Sequence, residues 1–290
     1  MKKDILKGIG EVIANFVAIN YDRIQEIFDL AKLNPDGTNA TDSVSFPAST
    51  LWQAAENFSK TAVAPVAVTF CGIFFAIELF RLLDRNQTAN GVDFFYSIIM
   101  MTIKMAVSVV VIKNMSGIIA LCFAVSNAIV TKSSALLNLT NIKEFNAYDT
   151  IVEYFDENGI FLELIFAGIT AWFGNALSNV AFILAKLVCQ LRFIEIYIFV
   201  AMAPIPFCTL CSSEYKQIGI AFIKRILALA LQGVFIMVAV FFFTTIVGAI
   251  DTESMTNPLD MVWTQASFSI LLIIAIFQTG GWAKSLLQVN

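Results

Sequence analysis

Beyond Lys224 and Arg225 the sequence runs to Gly248 without another charged side chain. About twenty helical residues, at 1.5 Å each, cover the roughly 30 Å hydrocarbon core of a bilayer. A run of this length belongs in lipid or deep among other helices, and composition decides how general that demand is. Of the 290 residues, 58% are hydrophobic and 14% charged, with a mean hydropathy of +0.79. Ordinary soluble domains carry roughly 45–50% and about 25%. The excess is too large for one buried core helix. It predicts an all-α, polytopic transmembrane helix bundle of about six or seven spans, one of them a candidate re-entrant segment.

Spans are expected near residues 61–83, 93–113, 162–185, 193–212, 222–248 and 262–283, the last framed by Trp263 and Trp282 as interfacial aromatics. The stretch 117–130 is shorter and fenced by Lys113 and Lys132, so it reads as re-entrant or as a short crossing. Between Gly159 and Ala203 there is no strong turn signal, yet one helix there would be about 66 Å long. A break is therefore expected around Lys186, Arg192 and Glu195. Counting 117–130 as a crossing gives seven spans and, by the excess of basic residues at Arg81/Arg85, Lys216/Lys224/Arg225 and Lys284, an outside amino terminus and an inside carboxyl terminus. Lys186 and Arg192 oppose this, and six spans would flip one end.

Residues 5–33 have a helical rather than a spanning pattern. Ile5, Ile9, Val12, Ile13, Phe16, Ile24, Ile27 and Phe28 fall near one face, with Asp4, Lys7, Glu11, Asp22, Gln25, Asp29 and Lys32 largely opposite. Such a helix lies on a membrane surface or packs on a partner. The turn-rich "NPDGTNATDSVSFP" follows. This divides the chain into 1–59, an amphipathic helix and polar linker outside the cytoplasm, and 60–290, the transmembrane domain. The basic start "MKKDILKGIGEVIANF" is not a secretory signal, because Asp4, Lys7 and Glu11 interrupt the apolar core such a signal needs.

Several function classes lose support. A net charge of −4 supplies no global basic field for nucleic acid. The chain has no histidine, which removes His-based triads and HExxH zinc sites. No glycine-rich phosphate loop or metal cluster is present, so no catalytic residue, cofactor or metal is assigned and the energy for any work must come from elsewhere. The five cysteines lie in apolar runs. Cys208-Thr-Leu-Cys211 matches half of a redox or zinc motif but has no second pair, and the bland reading is cysteine as a small hydrophobe. No internal repeat is visible.

Three sets of residues remain as candidates. Asp93, Ser97, Lys104 and Ser108 form one polar stripe on a spanning helix. A lysine at the bilayer centre costs roughly 2.5–3.5 kcal/mol on insertion scales. The stripe either faces a wet lumen or subunit interface, or Lys104 pairs inside the bundle with Glu163 or Glu78. Ala167, Ala171, Asn175 and Asn179 recur every fourth residue and suit close helix packing more than a solute site. In "RFIEIYIFVAMAPIPFCTL", Arg192 and Glu195 are i,i+3 neighbours able to pair. Pro204 and Pro206 lack N–H donors, so the helix stops or bends there. Broken backbone at membrane depth survives only inside protein or along a cavity.

The order Arg192, Tyr197, Ala203-Pro204-Ile205, a polar turn, Phe222-Ile223-Lys224-Arg225 and Leu231-Gln232-Gly233 resembles the TrbL-type polytopic subunit of type IV secretion systems, the counterpart of the sixth VirB component. The most similar versions are those of conjugative elements of Gram-positive bacteria. The resemblance is most specific over about 160–250 and carries over Arg192, Pro204, Lys224 and Arg225 as motif positions. It implies a non-enzymatic, multi-pass subunit of the cytoplasmic membrane that forms a homo-oligomer. Its implied partners are the other membrane subunits and the ATPase of the machine, together with single-stranded DNA and its bound relaxase. Gram-negative members have a large central extracytoplasmic loop, whereas residues 114–159 here are shorter and partly apolar. A secondary transporter or ion channel for a small solute is the alternative, suited to broken helices and a midplane lysine. An intramembrane enzyme is disfavoured by the missing histidine.

Overall fold

A computed structural model of the chain describes residues 21–38, 46–85, 91–136, 161–248 and 258–288. The regular structure among them is helical: α1 (Tyr21–Lys32), α2 (Ala48–Phe58), α3 (Ala64–Arg85), α4 (Gly91–Lys113), α5 (Met115–Leu136), α6 (Phe161–Met202), the short α7 (Pro204–Cys208), α8 (Lys216–Gly248) and α9 (Pro258–Leu286). Two compact units are formed. The first draws on Met1–Lys32, Ile129–Gln190 and Gly233–Gly281, and the second on Leu33–Ala128, Leu191–Gln232 and Trp282–Asn290.

By length and composition, Ala48–Asp84, Phe94–Lys113, Met115–Lys132, Lys216–Phe243 and Ala266–Leu286 can each cross a membrane. Trp172–Met202 and Pro204–Cys211, bent by 45°, make a sixth candidate if the pair is one span. The chain is thus a helical, multi-pass membrane protein. The described residues offer five or six candidates rather than seven because the break expected near Lys186–Glu195 is absent. Helix α6 runs unbroken from Phe161 to Met202, with neither proline nor glycine between Asn175 and Ala203 to interrupt it. The charges expected to mark a water interface are accommodated in place. Lys186 pairs with Glu26 of α1. Arg192 is 4% exposed and holds its guanidinium 5.0 Å from the Phe193 ring centre. The segment 117–130 lies within α5. There the Asn114 N–H donates to the Val110 and Val111 carbonyls at 3.1 and 3.2 Å, and the Ile118 N–H to the Asn114 carbonyl at 3.2 Å. Asn114 thus closes α4, its side-chain amide also donating to the Val110 carbonyl at 2.9 Å, and its own carbonyl opens α5.

In the first unit, α1 buries Ile27, Phe28, Leu30 and Ala31 and keeps Gln25 exposed, as its apolar spacing requires. It is the described part of the expected amphipathic helix, residues 5–20 of which lie outside the described residues. Phe182 of α6 meets Phe243 of α8 edge-on, at 6.4 Å and 84°. The Ser178 and Ser269 hydroxyls join α6 to α9 across 2.7 Å.

In the second unit, α2 and α3 are joined by a π-helical turn, Ser59–Val63. Pro65 cannot donate to the carbonyl one turn back, and the ladder widens just before it. The turn keeps a buried face in line: Trp52, Ala55, Ser59, Val63, Ala67 and Cys71 are all buried. At 100° per residue, Cys71 would drift about 160° from Ala55, and one extra residue in the wide turn removes about 100° of it. Ser59, fully buried, donates to Met115 Sδ at 3.5 Å. Ser116 donates to Glu56 at 2.7 Å, and Ser126 of α5 to the Ala230 carbonyl of α8 at 2.6 Å.

Candidate functional site

The candidate site is the bent end of α6 and what docks on it, all within the second unit. Phe193, Ile196, Val200 and Ala203 are buried on α6 at a helical spacing. Arg192 lies beside that stripe and turns inward. Glu195 lies off it, so the expected Arg192–Glu195 pair is replaced by another: Glu195 Oε1 meets Arg225 Nη2 of α8 at 3.5 Å. The Arg225 guanidinium also lies 4.9 Å from the Phe199 ring centre. The partner comes from another helix, which spacing along one helix cannot reveal.

At Pro204 the ladder changes. The Ala203 N–H donates to the Val200 carbonyl at 3.4 Å, and the Phe207 N–H to the Ala203 carbonyl at 3.2 Å. Side chains then cap the carbonyls left without partners where α7 ends. Cys208 Sγ donates to Ile205 O at 2.9 Å, Thr209 Oγ1 to Pro206 O at 2.8 Å, and Cys211 Sγ to Cys208 O at 2.9 Å. Ala203, Pro204, Phe207 and Cys208 are buried. The inner side of the bend is thus packed on protein, while Met202 and Ile205 face outward.

The polar turn after it is built by Ser212. Its hydroxyl accepts from the Glu214 and Tyr215 N–H groups at 3.3 and 3.4 Å, and its carbonyl accepts from the Lys216 N–H at 3.2 Å. The start of α8 then packs on the bend. The Gly219 N–H donates to Thr209 Oγ1 at 3.1 Å, and the Phe222 ring stands edge-on to Phe199 and Phe207, at 5.8 and 5.6 Å. This approach requires glycine. A Cβ at position 219 would lie 2.5 Å from Leu210 Cδ2 and 2.9 Å from the Pro206 carbonyl oxygen.

One face of α3 fastens this turn. Cys71, Phe74, Glu78 and Arg81 are spaced three, four and three residues apart and so share a side of the helix. Cys71 Sγ lies 3.5 Å from Cys211 Sγ. Phe74 packs on Tyr215 with ring centres 5.3 Å apart. Ser213 donates to Glu78, and Arg81 Nη1 meets Glu214 Oε2 at 2.6 Å. Three kinds of contact, thiol, ring and charge, thus act in one register.

At the other end, Tyr197 anchors the polar connector. Its hydroxyl donates to the Pro35 and Ala48 carbonyls at 3.1 and 3.3 Å, and Phe46 packs between Phe193 and Tyr197 at 5.3 and 6.4 Å. Asn127 of α5 donates to Asn34 at 2.7 Å. The connector opens with a turn in which the Gly37 N–H reaches the Asn34 carbonyl at 3.0 Å, and Gly37 takes φ +75°, a conformation natural to glycine alone.

The polar stripe lies partly on a cleft of about 220 Å³ lined by Glu78, Leu82, Tyr96, Ser97, Met100, Met101, Lys104 and Cys211. Ser97 and Lys104 face it, and Ser108 is buried farther along α4. The side chain of Asp93 lies outside those described. Lys104 and Glu78 share the cleft, whereas the hydrogen bond to Glu78 comes from Ser213. Of the small-residue set, Asn179 donates to Asn175 at 3.2 Å along α6 and borders a cleft with Glu26, Ile27 and Lys186 in the first unit. The side chains of Ala167, Ala171 and Glu163 are outside the described set. Ser178, one residue before Asn179, contacts Ser269 of α9. Lys224 is exposed at the start of α8. The sequence signal for Gly219, Ser213 and Glu214 was only a polar turn, and Cys71 gave none, since its partner is 140 residues away.

Residues 38–204 match a family described as TrbL/VirB6 plasmid conjugal transfer like protein. The match takes in α2 through α6, including Arg192 and Glu195, and ends at Pro204. Lys224 and Arg225 lie beyond it. No curated protein and no solved structure matches.

Proposed function

The chain belongs to the TrbL/VirB6 plasmid conjugal transfer-like family, and on that premise we propose that it is a non-enzymatic channel or scaffold subunit of a conjugative type IV secretion system. The family makes it a membrane component of conjugal transfer. The finer reading is that it helps form the path for DNA with bound relaxase across the cytoplasmic membrane of a Gram-positive bacterium. In that reading it works as a homo-oligomer beside the other membrane subunits and the ATPase that supplies energy, with residues 1–59 outside the cytoplasm.

The observation that carries this reading is the bend at Pro204, whose inner face packs on protein, whose outgoing carbonyls are capped by Cys208, Thr209 and Cys211, and whose following turn is fastened by α3. Such a joint sets the direction of a helix and holds it, which is the work of a building block. A DNA path need not be strongly basic, because tight phosphate pairing would hold the strand in place. The test is deletion of the gene from its native element, with transfer frequency measured beside growth and solute uptake. Transfer should fall by orders of magnitude and return on complementation. Unimpaired transfer would sink the proposal.

The cleft shared by Glu78 and Lys104 favours a second reading, a transporter or channel for a small solute. Altered uptake with normal transfer is the result that reading requires.

A further inference from the structure

Two thiols distant in sequence, already part of the docking of α3 on the turn, meet in the second unit. Cys71 Sγ of α3 and Cys211 Sγ at the end of the bent segment are 3.5 Å apart. Both are free thiols, 0% and 5% exposed. Bonded sulfurs are about 2.05 Å apart, so closure asks for roughly 1.5 Å of movement. The register is not set by this contact alone. Phe74, Glu78 and Arg81, the next residues along the same face of α3, engage Tyr215, Ser213 and Glu214. Access is unequal. Cys211 lines the cleft with Ser97 and Lys104, whereas Cys71 is fully enclosed. Cys208, three residues before Cys211, gives its thiol to the Ile205 carbonyl of its own segment at 2.9 Å.

We propose that Cys71 and Cys211 are a thiol–disulfide exchange site whose closed form is an intramolecular disulfide clasping α3 to the end of the bent segment. The oxidant is a small, uncharged organic disulfide that enters through the cleft. The Cys211 thiolate attacks one sulfur of it, forming a mixed disulfide and releasing one small thiolate, which takes up the Cys211 proton. The Cys71 thiolate then attacks Cys211 Sγ and expels the second small thiolate, which takes up the Cys71 proton. Two protein thiols are oxidised to one disulfide, and the small disulfide is reduced to two thiols. The closed clasp would hold the docking when salt weakens the exposed Arg81–Glu214 pair.

The experiment treats the full chain in lipid nanodiscs with dithiodipyridine. A variant carrying Cys122→Ala, Cys189→Ala and Cys208→Ala should release two thiopyridones per chain, retain no pyridyl adduct, and lose the mass of two hydrogens. A neutral phosphine should reverse the change, and the closed form should melt at a higher temperature than the open one. Two retained adducts would overturn the proposal. So would closure that persists after Cys71→Ala in a chain that carries Cys122→Ala and Cys189→Ala but keeps Cys208, since that assigns the bond to Cys208. Because a triple variant can misfold, the oxidised unaltered chain is also digested without reductant. A peptide joining Cys71 to Cys211 is expected, and a Cys208–Cys211 link or no link refutes the assignment.

Discussion

The Tyr197 hydroxyl on α6 donates to two main-chain carbonyls, Pro35 at 3.1 Å and Ala48 at 3.3 Å, which stand at the two ends of the polar connector. Tyr197→Phe keeps the ring against Phe46 and Phe193 and deletes only the donor. Leaving buried acceptors unmatched costs about 1–3 kcal/mol. The purified variant should melt at a lower temperature and be cut faster by protease between residues 38 and 46. Unchanged melting and unchanged cleavage would mean that the aromatic contacts alone hold the connector.

Gly219→Ala should be destabilising by about 1–3 kcal/mol, the usual range for forcing an extra carbon into packed surroundings. Leu210 can swing away from the new methyl, but the Pro206 carbonyl oxygen, 2.9 Å from it, is main chain. Adding Leu210→Ala should therefore restore only part of the lost melting temperature. Full rescue by Leu210→Ala would show that the backbone approach is not limiting.

The Ser178–Ser269 contact lends itself to a double-mutant cycle. Hydrogen bonds between membrane helices average about 0.6 kcal/mol by such cycles and reach about 1.7 kcal/mol. At 2.7 Å and buried, this one should couple in the upper half of that span when each serine is changed to alanine singly and together. Additive losses would show that the two hydroxyls satisfy themselves separately.

Lys104→Leu should leave the folding of the single chain little changed, because the side chain is exposed and exposed substitutions usually stay within about 0.5 kcal/mol. Under the proposed function it should nevertheless lower oligomer yield or transfer frequency, since the charge at that depth then serves a neighbour or a lumen. Normal assembly with normal transfer makes the stripe incidental.

What the sequence made legible was whatever depends on neighbours along the chain. Apolar runs of bilayer length gave the helical membrane class, the two prolines gave the bend, and "NPDGT" gave the turn around Gly37. What stayed hidden depends on residues far apart. Glu195 and Arg192 are well spaced to pair, but the direction each faces is decided by which side of α6 is buried, and Arg225 arrives from α8. Lys186 looked like a water-interface marker because nothing nearby in sequence announces Glu26 as its partner. With both charges met in place, α6 had no reason to break where the sequence reading expected it. Ser178, which reaches Ser269 of α9 from 91 residues away, had no partner visible in its own stretch of sequence.

The π turn at Ser59–Val63 fixes how this segment tolerates change in its length. Elsewhere along α2 and α3, loss of a single codon would rotate everything downstream by about 100° and point Phe74 and Arg81 away from their partners. Inside the wide turn the same loss would restore an ordinary helix and leave the phase on either side intact, making those five positions the one forgiving site in a rod that otherwise keeps strict count.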